Sequence, residues 1–307
     1  MLEDGSTYTP VLVLDAGTSI GRALSADGQR AMLVVVAGSG SRVVQSALLG
    51  QGGVFDGITV VADRLFWMRT GEDAGQVTVS LWSAALSDGP ATRLSTDVGL
   101  PVFYGSQYSM QAVAGRLYWA STTVPGQVDR TQVCSIALTG GPVTRREVAG
   151  AWTLSAWPWL VTSPAVPGGP VALHDLTTNS SVPVRVPADG AVSCSPVWCR
   201  VTRVDPVLSN GIDLVHPDGS GLRRIAAGDA TQVTVDVALR DRFDLLLDAS
   251  GDTGRLTMLR VYDLVRGQAV LLDPSANGAG GRGDFVWWAT GDHETLTWHA
   301  LDLRTLN

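Results

Sequence analysis

The chain has 307 residues, 45% apolar and 17% charged, which is enough to bury a large core in one or two domains. Its 29 acidic residues outnumber 22 basic ones, and every basic one is arginine. That balance excludes the basic stripe on which nucleic-acid and anionic-membrane binding depend. Arginine without lysine points to a GC-rich genome of actinobacterial type. No apolar run approaches the roughly 20 residues of a membrane helix, and MLEDGSTYTP at the N-terminus lacks a basic, apolar leader. The expectation is a soluble segment that does not itself insert in a membrane. Either its export signal or anchor was trimmed before residue 1, or it is cytoplasmic.

Taken in chain order, the predicted elements repeat. YTPVLVLDAG (residues 8–17) reads as a strand, and SADGQRAMLVVV from Ser25 reads as a tight turn followed by a second strand. The turn-then-strand landmark returns as VADRLFWM from Val61, VAGRLYWA from Val113, AWPWLVTS from Ala156, SPVWCRVT from Ser195, LRDRFDLLL from Leu239 and GRGDFVWWA from Gly281. Asp-Gly and its relatives supply the positive φ that a two-residue hairpin turn demands. About 20 residues beyond each landmark a second signature occurs, with equivalent positions at Leu48, Leu86, Leu138, Leu176, His216, Leu264 and Leu303. Seven units of roughly 40 residues match the repeat length of a four-stranded propeller blade.

The predicted fold is therefore all-β: one seven-bladed β-propeller over residues 1–307, with four-stranded antiparallel blades. The blades fall near 18–55, 56–98, 107–149, 150–189, 190–228, 230–274 and 280–307. The last unit has only three strands, and residues 8–16 look like every other fourth strand. The expectation is that this N-terminal strand completes the last blade and closes the ring without leaving a sheet edge. LVHPDGSGLRRIAAG (residues 214–228) and LSADGQRAMLV (residues 24–34) resemble the repeats of TolB-like propellers, a WD40-like bacterial architecture. The resemblance implies the fold. It also implies roles as protein-binding platforms in the cell envelope or as non-catalytic partners of hydrolase domains, although no hydrolase domain is present here.

Two of the three cysteines, Cys194 and Cys199, flank Pro196 and Val197 in SCSPVWCR. With that proline and valine central in a hairpin turn, the cysteines face each other at a non-hydrogen-bonded pair, where Cα atoms lie ~4.5 Å apart. A disulfide is within reach at that distance, and two reduced core cysteines are the alternative. Zinc is disfavoured because no second ligand pair exists. A disulfide implies an oxidising, extracytoplasmic compartment. Cys134 is then a buried free thiol.

Other motifs carry weaker chemistry. GTSIG (residues 17–21) has the spelling of a hydrolase elbow but no strand-to-helix setting, so Ser19 is not read as a nucleophile. His293 and His299 lie too far apart along a strand to share a metal. DASGDTG (residues 248–254) lacks the bidentate Glu of a calcium loop and reads as a solvated turn, so calcium is the one cofactor entertained and none is required. Arg282-Gly283-Asp284 is a chance RGD in a turn.

Sorting residues by loop gives the candidate site. The loops that follow second and fourth strands gather Asp56, Glu72, Asp97, Asp129, Asp205, Asp248, Asp252 and Asp292, while the opposite turns mix Arg30, Arg64, Arg116, Arg240 and Arg304 with Asp27, Asp63 and Asp218. GLPVFYGSQYS (residues 99–109) adds Phe103, Tyr104 and Tyr108 to the acidic side. The expected binding set is Phe103, Tyr104, Tyr108, Asp129, Asp205, Asp248, Asp252 and Asp292. The functional expectation is a monomeric, non-catalytic platform of the cell envelope that binds a basic protein partner or a ligand. The alternative is a lyase, lactonase or glycosidase with Asp129, Asp205 and Asp248 converging in a central funnel.

Overall fold

The computed structural model describes residues 1–38, 40–49, 53–73, 75–124, 129–162, 170–186, 190–203, 211–228, 230–249, 257–292 and 295–306. Their strands form seven antiparallel sheets, each assembled from strands consecutive in the chain, and the fold is a seven-bladed β-propeller. The chain divides into two compact units, Met1–Leu154 and Ser155–Asn307.

The first sheet runs in the order β1 (Thr7–Asp15), β2 (Thr18–Leu24), β3 (Arg30–Ala37) and β4 (Gly40–Leu48). The second holds β5 (Val54–Val61), β6 (Arg64–Asp73), β7 (Gln76–Ala85) and β8 (Thr92–Ser95). In the third, a short β9 (Leu100–Pro101) joins β10 (Met110–Val113), β11 (Arg116–Thr122), β12 (Arg130–Ala137) and β13 (Thr144–Ala149) by pairing with β11. The fourth is β14 (Trp152–Leu154), β15 (Trp159–Thr162), β16 (Ala172–Asp175) and β17 (Ser180–Pro183).

The fifth sheet is β18 (Ala191–Cys194), β19 (Cys199–Arg203), β20 (Gly211–Val215) and β21 (Arg223–Ala227). The sixth is β22 (Ala230–Gln232), β23 (Phe243–Ala249), β24 (Thr257–Asp263) and β25 (Gln268–Ala276). The seventh contains, among the described residues, only β26 (Gly278–Arg282), β27 (Phe285–Thr290) and β28 (Thr297–Asp302).

The N-terminal strand departs from its expected place. Residues 8–16 do not complete the last blade: β1 pairs with β2, from Thr7↔Leu24 to Asp15↔Thr18, around Ala16 and Gly17. The reason is local. A two-residue loop brings β1 and β2 together at almost no loop-closure cost, and β1 then lies beside β5 of the next sheet. One consequence is that the Ser25–Gly28 turn joins second and third strands, so Asp27 and Arg30 leave the first sheet at the end opposite to the expected one.

The repeated arginine of the landmark motif is structural. Where β10 turns into β11, Ala114 and Gly115 both take left-handed backbone (φ 48° and 76°), as a two-residue turn of this hand requires. Arg116, the next residue, then donates to Ser135 Oγ on β12 (3.1 Å). Arg64 does the same to Ser83 Oγ on β7 at 2.9 Å. In the sixth sheet Arg242 grips both carboxylate oxygens of Asp263, at 3.0 and 2.7 Å.

Between sheets the core is apolar. Ile20, Leu33 and Val35 meet Phe55, Leu65 and Trp67, and farther along Phe66, Met68 and Leu81 meet Leu117, Trp119 and Cys134. In the second unit Ile212, Leu214 and Ile225 pack on Leu246 and Tyr262. One ion pair lies inside this packing. Arg200 of β19 binds both oxygens of Asp244 on β23, at 2.7 and 3.1 Å, and donates to the carbonyls of Thr234 and Asp236. Only 2% of the Arg200 side chain and none of the Asp244 side chain is exposed. Burial pushes the Asp244 carboxyl upward and Arg200 opposes it.

Removing one member of such a pair leaves a charge buried without its partner. Arg200→Met should cost about 3–5 kcal/mol of stability in chemical denaturation, whereas Arg22→Ala, in an exposed pair with Asp56, should cost less than about 1 kcal/mol. A loss at Arg200 no larger than at Arg22 would show that the pair holds nothing together. Asp263 gives a pH test. Arg242, reinforced by the Val265 and Arg266 amides, holds its carboxyl below the ordinary carboxylate range. That contribution is complete above the unfolded pKa of about 4 and fades as pH falls through the lower folded value. The deficit in melting temperature of Asp263→Asn should therefore be largest near neutrality and shrink in acid.

Candidate functional site

A cleft of about 590 Å³ opens in the second unit between the fourth and fifth sheets. Trp159 of β15 and Leu173 of β16 line it with Val182 and Pro183 of β17. Pro196, Val197 and the His216–Ser220 turn line it from the fifth sheet. The lining is largely apolar, with Arg185, His216, Asp218 and Ser220 as its polar groups. Its volume lies in the range of small-molecule and peptide pockets.

The fifth-sheet side is built on the cysteine hairpin. Cys194 faces Cys199 in the ladder, their Cα atoms are 4.0 Å apart, and a disulfide joins them, as the sequence indicates. Ser195 N donates to Trp198 O at 2.7 Å, which closes the turn over Pro196 and Val197. Trp198 stacks on His216 with ring centroids 3.9 Å apart. His216 Nδ1 donates to Val197 O at 2.9 Å, locking the second turn to the first. Arg185 N donates to Pro217 O at 2.8 Å, so backbone bonding also ties the fourth sheet to this turn. Asp218 accepts from Ser220 N and Oγ, and these bonds hold its carboxyl below the usual range.

Among the expected site residues, Asp205 and Asp252 lie outside the described residues. Phe103 packs into the core of the second and third sheets, against Gly57, where a Cβ would come within 2.8 Å of its ring. Tyr108 is half-buried and Tyr104 is exposed. Asp129 is exposed and its backbone carbonyl accepts from Gly150 N. Asp248 sits 2.5 Å from Arg260 on the neighbouring strand. Asp292 caps its own turn by accepting from Thr295 N and Oγ1, each at 2.9 Å.

Asp56, Glu72 and Asp248 were expected in loops, but they lie within β5, β6 and β23, and arginines on strands answer several of the acids. Asp56 pairs with Arg22 and Asp97 with Arg145, each at 2.5 Å. Counting charges loop by loop missed this, because the partners lie on strands rather than in loops. Among the described residues no group of three or more His, Cys, Asp or Glu is placed to hold a metal. Ser19 bonds Tyr8 Oη at 2.8 Å, and burial pushes the Tyr8 phenol up to about 12. In the RGD sequence, burial lowers the Arg282 guanidinium to about 10, and Arg240 and Arg304 hold Asp284. Cys134 is a buried free thiol whose burial raises it to about 11, with Arg145 opposing.

No family model matches the chain, and no curated protein matches its sequence. Solved structures do. An uncharacterized protein, lmo1340 from Listeria monocytogenes EGD-e, aligns over 94% of this chain and 90% of its own, at 10% identity and a TM-score of 0.57. The β-propeller domain of the Trilobed protease from Pyrococcus furiosus, described as having an open velcro topology, aligns over 81% and 82% at 8% identity and a TM-score of 0.53. TolB from Acinetobacter baumannii aligns over 70% of this chain and 53% of its own at 17% identity, and its TM-score of 0.40 is too low to carry an argument. These likenesses define the class of the protein as a β-propeller and go no further than the fold.

The cysteine assignment has a direct check. Alkylation of the denatured, unreduced protein should add one label, at Cys134, and reduction beforehand should raise the number to three. Three labels without reductant would exclude the disulfide.

Proposed function

We propose that this propeller is a non-catalytic binding module acting outside the cytoplasm, in the cell envelope, and that the cleft between the fourth and fifth sheets is its main contact site. The observation that carries the reading is the cleft itself. It is apolar, and one side is a turn fixed by a disulfide, a stacked Trp198–His216 pair and a backbone bond from Arg185. Contact surfaces that are rigid before binding lose less entropy when a partner docks.

Three further points support it. Structural disulfides persist in oxidising compartments, and no helix among the described residues is long and apolar enough to cross a membrane. The TolB-like turn at residues 214–228 contributes His216 to Ser220 to this same cleft. Finally, Asp56, Asp97 and Asp248 are each engaged by an arginine, which suits structural ion pairs better than acid or base catalysis. The net charge of −7 favours a basic partner.

Photo-crosslinking residues placed singly at Val197 and at Tyr104 distinguish the cleft from the aromatic loop in producing cells. A discrete adduct at Val197 that competes away with excess unlabelled protein is the expected result. An adduct confined to Tyr104 would move the contact to the loop. Turnover of an ester, lactone or glycoside by the purified chain would overturn the non-catalytic reading.

A further inference from the structure

Of the polar side chains that line the cleft, His216, Asp218 and Ser220 are spent inside the turns that carry them. Asp218 accepts from Ser220 N and Oγ at 2.9 and 2.7 Å, and His216 gives its Nδ1 hydrogen to Val197 O. Arg185 differs. Its backbone is fixed from the fifth sheet: Arg185 N donates to Pro217 O, and Gly219, with φ at 89°, approaches so closely that a Cβ there would lie 2.6 Å from Arg185 O. Its side chain is exposed, and among the described residues its guanidinium has no hydrogen bond or ion pair.

Arginine elsewhere in this protein is used on the protein's own groups. Arg42 caps the Ala85 and Leu86 carbonyls, Arg116 bonds Ser135, Arg145 holds Asp97 and Arg242 holds Asp263. A guanidinium presents its donors in a planar fork that matches a carboxylate. Arg185 keeps that fork open beside an apolar wall, with its backbone already in place.

The wall sets the shape of what fits. Val182, Pro183 and Arg185 line the cleft along β17 and its continuation, where Val184 N still bonds to Val171 O. At ~3.3 Å per residue, Val182 to Arg185 spans about 10 Å, the length of three extended residues. Trp159, Leu173 and Val197 supply apolar surface beside that path. The occupant therefore joins a short apolar segment to one anionic group. A run of acidic side chains is disfavoured by the net charge of −7 and by Asp218 in the cleft itself. A polypeptide C-terminus meets both conditions, because its carboxylate and its last side chain leave the same Cα and the rest of the partner is free to be basic.

We infer that the cleft receives the C-terminal tail of a partner polypeptide, with its last residues apolar and its free carboxylate paired with Arg185. The inference rests on the reading of this cleft as the contact site.

The probes are fluorescein-labelled peptides that end, after a Gly-Ser spacer, in every combination of Pro, Val, Leu and Phe at the last three positions, each made as the free acid and as the C-terminal amide. Binding is read by fluorescence polarisation with the whole protein up to about 1 mM. The best acids should bind about tenfold or more tighter than their amides. Arg185→Gln should erase that difference and leave amide binding unchanged, and Arg185→Lys should restore part of it. Because the side chain is exposed and the Arg185 N bond to Pro217 O does not depend on it, these variants should fold. No binding by any acid at about 1 mM, equal affinity of acid and amide, or an acid preference that survives Arg185→Gln would each overturn the inference. N-acetylleucine binding as tightly as the peptides would overturn it in favour of a free small acid. The Val197 crosslink reads the contact site separately: an adduct there alongside equal binding of acid and amide removes only the terminal carboxylate, whereas a missing adduct removes the cleft as the contact site.

Discussion

Every sheet of this protein is made from strands that are neighbours in the chain, so the strand ladders complete each blade and, apart from contacts such as the Arg185 N–Pro217 O bond, leave one blade unjoined to the next. Side chains must supply that cohesion, and most of it is apolar burial of the kind worth about 25 cal/mol per Å². The polar contacts between blades are specific. Trp67 Nε1 reaches Gln45 of the preceding sheet, and Trp119 Nε1 reaches the Val98 carbonyl. Arg200 and Asp244 bridge the fifth and sixth sheets, where Trp198 also donates to Asp241 O. Because a buried charge pair is tolerated only with its bonds satisfied, the Arg200 contact fixes the relative placement of two blades more strictly than oil-like packing could.

The same requirement explains the cleft. The disulfide hairpin presents Cys194 and Cys199 to the core with Leu173, Val201 and Val215, while the turn at its tip projects to the surface. Covalent and stacking restraints on Pro196, Val197, Trp198 and His216 keep an apolar surface open where an unrestrained turn could collapse onto it.

Much of this was legible from the sequence. The seven landmarks gave the blade count because a tight turn followed by a strand rich in aromatic and aliphatic residues is a local pattern, and hairpin geometry put the two cysteines within reach of each other. The N-terminal strand lies in the first sheet and not in the last, although Gly17 between two apolar runs is itself a turn signal. The likeness of residues 8–16 to a fourth strand outweighed it. Partners far apart in sequence were not legible: Arg200 and Asp244 are separated by 44 residues, and Asp97 and Arg145 by 48. The cleft escaped for a related reason, since its two sides come from different sheets.

The central claim is that each blade is built from consecutive strands, with β1 in the first sheet. Hydrogen exchange resolved to single segments of the isolated protein tests it most directly. The account predicts slow exchange in the β1 and β2 amides that bond to each other and in the covered third strands β12 and β24. Exchange in those β1 and β2 amides as fast as in the exposed turns would contradict it.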